Sequence, residues 1–333
     1  MRKQLYPLKF EPIYQYRLWG GEKLESLLSK PLPSNEPIGE AWILSDRKDH
    51  ASMVTEGALK GCTITQLMKD YPQELMGKLA NRFDRFPLLL KFLDCKEVLS
   101  VQVHPADDQK NYIPKGDTGK TEAWVVLDTG KDSRIYAGLK PGTNQENLYE
   151  AIQNHKVADK LHSFIPKLGD AIFIHSGTVH TLGGTVVFEV QENSDVTFRL
   201  YDWDRIDAKT GKPRDLQVDK AIACIDFNQV NIGPVEPIRN SSEPNKEKLF
   251  DNEHFILERI KDKLPIKLGF INEPTILVCL SGDGKLIWNN NDYQINKSDV
   301  MLIPASVGVC NLQPNNEINL LQIVIPCNNG QQS

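Results

Sequence analysis

Apolar and polar positions along this chain fall mostly into short alternating runs, the period-two signature of half-buried strands, with few stretches of helical spacing. The sharpest alternation is EVLSVQVHPADD, residues 97–108. A strand there puts Leu99, Val101 and Val103 on one face and Ser100, Gln102 and His104 on the other. Upstream, YRLWGGEKL carries a Gly-Gly turn, and IGEAWILSD reads as a strand after a proline-rich loop at Pro31 to Pro37. Residues 61–83 predict helix, because Leu67, Met68, Tyr71, Leu75, Met76 and Leu79 recur at spacings of three and four, interrupted at Pro72. RFPLLLKFLDCKEVLSVQVHP predicts two strands about a turn at 94–97, and TEAWVVLDT and RIYAGL continue the β pattern. A capping box at Thr143 and Glu146 predicts a second helix that carries Leu148 and Ile152 on one face. DAIFI, TVVFEVQ and VTFRLYDW are then short strands, and LQVDKAIACI is a last helix.

Residues 228–248 cluster Pro, Asn, Ser and Glu and read as a linker. From about 249 to 326, short strands alternate with turns, among them SGDGK, a hairpin turn, since no GxxxxGK[ST] phosphate loop is present. One internal echo matters. KLGDAIFIHSGTVH (167–180) aligns with NKSDVMLIPASVGV (296–309), a polar turn, an Asp, four apolar residues and then small residues, with Val309 at the place of His180. The echo predicts one β corner used twice, in two similar barrels. The expected fold is therefore mainly β. A domain over 1–240 holds the helical segments, and a smaller one spans 249–327.

A formal net charge of −5 gives no general attraction for nucleic acid or an anionic membrane. The most apolar run, FPLLLKFL, is short and broken by Lys91, and the charged, proline-bearing N-terminus does not read as a signal peptide. Six cysteines without a CxxC pair predict buried thiols in a reducing cytoplasm.

Chemistry converges on the 97–108 strand. His104 ends its polar face, Lys120 and Glu122 follow in GKTEAW, and His180 lies in a glycine-rich turn, HSGTVHTLGG. Two imidazoles and a carboxylate suit a divalent metal with an open coordination position, and Gln102 could add an amide oxygen. Zinc fits that set, and so do iron, nickel, cobalt and manganese. Further on, alternation groups Val187, Glu189 and Gln191 on one face and Thr197, Arg199 and Tyr201 on another. A buried Arg and Glu beside a metal are costly unless paired or used. Arg199 suits a phosphate or an oxyanion, and Lys120 suits the same anion or a proton transfer.

LSVQVHPADD, GKTEAW, HSGTVHTLGG and EVQENSDVTFRLYDWDR, with YRLWGGEKL and IGEAWILSD, resemble the type I mannose-6-phosphate isomerases in their short bacterial form. The likeness is strong over 16–205 and looser beyond. It implies a cupin-type jelly-roll fold and one zinc ion per chain, in an enzyme that interconverts mannose 6-phosphate and fructose 6-phosphate. Residue by residue, Gln102, His104, Glu122 and His180 match the family's zinc ligands, and Arg199 its essential arginine. Lys120 and Glu189 match positions discussed for proton transfer, and Ser100 a phosphate contact. The chain departs from the general cupin pattern, with Gly169 followed by His175 where a proline is usual and the first motif's carboxylate displaced to Glu122.

The expected mechanism takes a proton from C2 of the open-chain sugar and returns it to C1 through an enediol, with Glu189 favoured as the base and Lys120 next. The expected partner is a hexose 6-phosphate, with no nucleic acid and no membrane, for a monomer or weak homo-oligomer. Two other readings share the ligand set: a metal-dependent cupin oxygenase and a non-catalytic sugar-phosphate-binding protein.

Overall fold

A computed structural model describes residues 3–327, so Met1 and Arg2 of the N-terminal lead-in lie outside it. The fold is mainly β, as expected, with the sheets of a cupin-like jelly roll. No helix among the described residues is long and apolar enough to cross a membrane.

The described residues form two compact units, one of residues 14–42 and 88–235, the other of residues 3–13, 43–87 and 236–327. This differs from the expected division at 240. The N-terminal strand Leu8–Lys9 pairs with Val300–Ile303. The helices Ile64–Asp70 and Pro72–Met76, which break at Pro72, also belong there. The carbonyls of Glu74 and Leu75, at the end of a short helix, accept from the amides of Ser306 and Ala305 at 2.8 and 3.0 Å.

In this second unit, a seven-stranded and a four-stranded sheet share one core. Leu277, Met301 and Leu320 come from the first sheet, and Leu286, Ile295 and Leu312 from the second. SGDGK is not a hairpin. Thr275–Ser281 lies in the larger sheet and Asp283–Trp288 in the smaller, so the chain changes sheets at Gly282, whose φ is 83°. The expected linker also carries structure, the strands Ile238–Asn240 and Glu243–Asp251. Polar composition hid them because Ile238–Asn240 is an exposed edge strand.

In the other unit, a nine-stranded sheet orders Ala171–Ile174, Glu122–Leu139, His180–Glu192, Leu88–Cys95, Ile38–Leu44 and Ile13–Gly21. Val101–Val103 pairs with both His180–Glu192 and Phe198–Tyr201. Two apolar clusters flank the site. One holds Trp19, Leu93, Leu99, Trp124, Leu182 and Val187. The other holds Val101, Val103, Phe198 and Tyr201, with Leu148 and Ile222 supplied by the helices Gln145–Gln153 and Val218–Cys224. The first of these helices is capped one residue later than expected, by an Asn144–Asn147 box.

Two facial assignments change. Leu99 precedes the ladder that begins at Val101 and packs in the other cluster. Tyr201 leaves the side of Arg199 because the register slips between them, a bulge that turns the next side chain over.

The internal echo is a structural repeat. Asp170 accepts from the amide of Lys167, and Asp299 from that of Asn296, each at 2.8 Å. Gly169 and Ser298 occupy the same place with φ of 85° and 68°.

Candidate functional site

Strand register brings the polar residues of the first unit together. His180 and Arg199 both lie opposite Gln102, Glu122 lies opposite Gln191, and Glu189 sits between Lys91 on one neighbour and Trp124 on the other. His104 follows the Val101–Val103 strand, where its carbonyl accepts from the Gly177 amide at 2.8 Å. Gly183 allows the sheet to close here, since a Cβ on it would lie 2.6 Å from the Cα of Val98.

His104, Glu122 and His180 are fully buried, with one ligand atom of each within 4.8 Å of the others. Nε2 of His104 is 3.4 Å from Glu122 Oε2, and Nε2 of His180 is 3.3 Å from Oε1. The other ring nitrogens settle the tautomers. Nδ1 of His104 lies 2.9 Å from the carbonyl of Val196, and Nδ1 of His180 lies 2.9 Å from that of Thr178. A carbonyl only accepts, so each Nδ1 carries the proton and each Nε2 turns a lone pair toward the carboxylate. Burial first, and then the charge of Lys120, pulls His104 down to about 3, and burial also lowers His180. Both rings are therefore neutral. Neither oxygen of Glu122 has a well-aligned hydrogen-bond partner, although Lys120 Nζ stands 2.7 Å away. Burial alone would raise Glu122, yet the ammonium of Lys120 holds it well below the usual carboxylate range. Lys120 Nζ also lies 3.1 Å from His104 Nε2, so its ammonium answers part of this arrangement, while the lone pair of His180 still faces Glu122 in a dry site that a bound cation would stabilise. The donors therefore fit a divalent metal, as two neutral imidazoles and a carboxylate.

Gln102 touches this cluster through its amide nitrogen, 3.2 Å from His180 Nε2. Rotating the amide by half a turn would present its oxygen instead.

A cleft of about 340 Å³ adjoins the cluster, lined by Ser100, Gln102, Lys120, Glu189 and Arg199 among others. Every site residue expected from the sequence is thus in the cluster or on the wall of the cleft. Ser100 is buried at the wall, while Thr197 shares the side of Arg199. Glu189 is also buried, paired with Lys91 at 3.2 Å and accepting from Trp124 Nε1 at 3.0 Å. Burial raises its pKa and Glu122 adds to this, against the opposing charges of Lys91 and Lys120. Lys120 stays charged: burial would lower it, but Glu122 and Glu189 hold it above the usual lysine range.

Arg17, Glu40, Lys91, Asp195 and Arg214 also line the cleft, and the sequence reading did not single them out. Arg17 donates from Nε to Glu40 at 2.8 Å, and Lys91 stands 3.8 Å from the same carboxylate. A lysine inside LLLKFL and a glutamate inside IGEAWIL were detectable signals, since a charge within an apolar strand needs a buried partner. Arg214, in a polar loop, offered none.

Comparison with known proteins adds a family. Residues 7–122 match the family model described as phosphomannose isomerase type I, catalytic domain. The chain is 34% identical to the probable mannose-6-phosphate isomerase GmuF of Bacillus subtilis strain 168, over 91% of this chain and 95% of that protein. It is also 34% identical to mannose-6-phosphate isomerase ManA of the same organism, over 92% and 96%. A crystal structure of mannose 6-phosphate isomerase from Bacillus subtilis superposes with a TM-score of 0.86 at 28% identity, covering 95% of this chain and 99% of that one.

Proposed function

Because the chain belongs to the type I phosphomannose isomerases and its activity is that of a mannose-6-phosphate isomerase, we propose that it works with one zinc ion. In this reading His104, Glu122 and His180 hold the zinc, with Gln102 as a fourth protein group, and the reaction passes through an enediol. The observation that carries the reading is the pair of Nε2 lone pairs turned onto a carboxylate with no aligned hydrogen-bond donor. Named relatives that isomerise a sugar phosphate favour it over an oxygenase built on the same ligands.

Converting the aldose to the ketose moves a proton from C2 to C1 and builds negative charge on the two adjoining oxygens. Zinc, when bound, supplies Lewis-acid stabilisation of that charge. The protein supplies the proton path. Glu189 is the base: burial and nearness to Glu122 raise its proton affinity toward the working range of a carbon acid–base. Lys91 and Trp124 fix its two oxygens. Lys120, held charged by Glu122, stabilises negative charge in the cleft, and Ser100 offers a hydroxyl on the same wall. Arg199 binds the substrate's anionic groups with a fixed positive charge.

Elemental analysis of the purified protein, with a coupled assay on mannose 6-phosphate before and after chelation, tests the zinc assignment. One equivalent of zinc and loss of turnover on its removal are expected. Full activity in metal-free protein would end this reading. Solvent tritium should enter the product if the enediol forms.

A further inference from the structure

The charges that line the cleft are unevenly matched. Arg17 pairs with Glu40, Lys91 with Glu189, and Lys120 with Glu122. Asp195, the remaining acidic lining residue, acts on Arg17 and Lys120. That end of the cleft is close to neutral. Around Arg199 the balance differs, for three guanidinium groups, Arg199, Arg205 and Arg214, gather near one buried carboxylate, Asp202. Asp215 also acts on Arg199, but it is exposed.

Asp202 is fully engaged. Its Oδ1 accepts from Nη2 of Arg205 and of Arg214, each at 2.6 Å, and its Oδ2 accepts from Nε of Arg214 at 2.8 Å. Arg205 also donates to the carbonyls of Val98 and Asp202 and does not line the cleft, so it braces the loop. Arg214 does line the cleft. Its Nε–Nη2 edge is held by Asp202, whereas Nη1 has no hydrogen-bond partner among the described residues. Arg199 shows the same pattern. Nη1 donates to the carbonyl of Asp215 at 2.8 Å, and Nε is buried without a partner.

Two clamped guanidinium groups therefore line the same cleft, each with a donor that the protein leaves unused, and fewer buried carboxylates than cations surround them. We propose that Arg214, positioned by Asp202, recognises the phosphate of the substrate together with Arg199. A phosphate monoester carries about −1.5 to −2 charges and three acceptor oxygens, which matches both the surplus and the free donors. A sugar hydroxyl would match the donors but leave the charge unanswered. Asp202 fixes the guanidinium plane before the anion arrives, so little side-chain freedom is lost on binding. This assignment rests on the isomerase reading only for the identity of the molecule that carries the phosphate.

Calorimetric titration of the metal-loaded protein with inorganic phosphate and with mannose 6-phosphate tests it. Arg214→Ala should weaken both affinities roughly 10- to 100-fold, as loss of a charge-assisted contact does. KM should rise by a similar factor while kcat stays within about threefold. Arg214→Lys keeps the charge but loses the fork, and should fall between the two. If the alanine variant does not fold, a lysine variant with at least about threefold weaker phosphate binding supports the assignment. Unchanged phosphate affinity in a folded variant, or a fall in kcat with KM unmoved, overturns it. Wild-type protein that binds both anions without turning over would count against isomerisation and leave the phosphate assignment standing.

Discussion

Lys91→Met tests the buried charge network most directly. Lys91 is almost wholly buried, 3.2 Å from Glu189 and 3.8 Å from Glu40. At an effective dielectric near 20, these contacts amount to roughly 5 and 4 kcal/mol of attraction. The desolvation of the ammonium offsets much of that, so the net loss is that of breaking a buried pair, about 3–5 kcal/mol. The two acids do not share the loss equally. Glu40 keeps Arg17 on both oxygens, and that pairing, with Lys91 and Trp42, holds it near a pKa of about 2 against burial. Glu189 keeps the Trp124 indole and the charge of Lys120.

Without Lys91, the upward shift of Glu189 must grow, because its largest opposing charge is gone. A carboxyl whose folded pKa lies above its unfolded value of about 4.5 binds more protons when folded. Its contribution to stability is therefore greatest in acid and is lost as pH rises through the folded pKa. The penalty of Lys91→Met should be smaller at pH 5 than at pH 8, by about 1.4 kcal/mol for each unit of added shift. Urea unfolding followed by tryptophan emission reads this out. Trp19, Trp42, Trp124 and Trp203 lie in the unit that holds the network, and only Trp288 lies in the other. A penalty below about 1 kcal/mol, or one equal at both pH values, would refute the reasoning.

Three further outcomes are expected. His104→Ala or His180→Ala should purify without metal and lose turnover by at least ~10³, several kcal/mol of charge stabilisation, as read by elemental analysis and the coupled assay. Arg199→Ala should retain its metal while turnover falls by roughly 10²–10³; loss of metal with the activity would show that Arg199 supports the ligands instead. Gly183→Ala should cost about 1–3 kcal/mol in the same urea transition, because a Cβ would meet the Val98 backbone rather than a yielding side chain. A neutral result there would mean that the Val98 backbone sits further from Gly183.

The residues that form the imidazole–carboxylate cluster were legible along the chain because each sits in a short window where alternation shows its face. His104 ends a clean strand pattern, Glu122 opens the next long strand, and His180 stands among glycines. The repeated corner was legible too, since Asp170 and Asp299 each close a four-residue turn. Alternation failed at Leu99 and Tyr201, where the ladder starts late or slips by a bulge, because period two holds only while every residue keeps its partner. The division of the chain at 240 differed for a related reason. Leu8–Lys9 and the helices of 64–76 are joined to distant segments by backbone hydrogen bonds, which carry no side-chain signature.

Sequence by itself determined the β character, the residue types of the candidate site and the family motifs, because these depend on residue identity and near-neighbour spacing. Tertiary structure alone decided which charges neutralise one another. Glu189 meets Lys91 and Trp124 only because three strands stand in one register, and Arg214 reaches the cleft only because Asp202 holds it there. Coulomb energy depends on separation and burial, and neither is encoded in the distance between two residues along a chain.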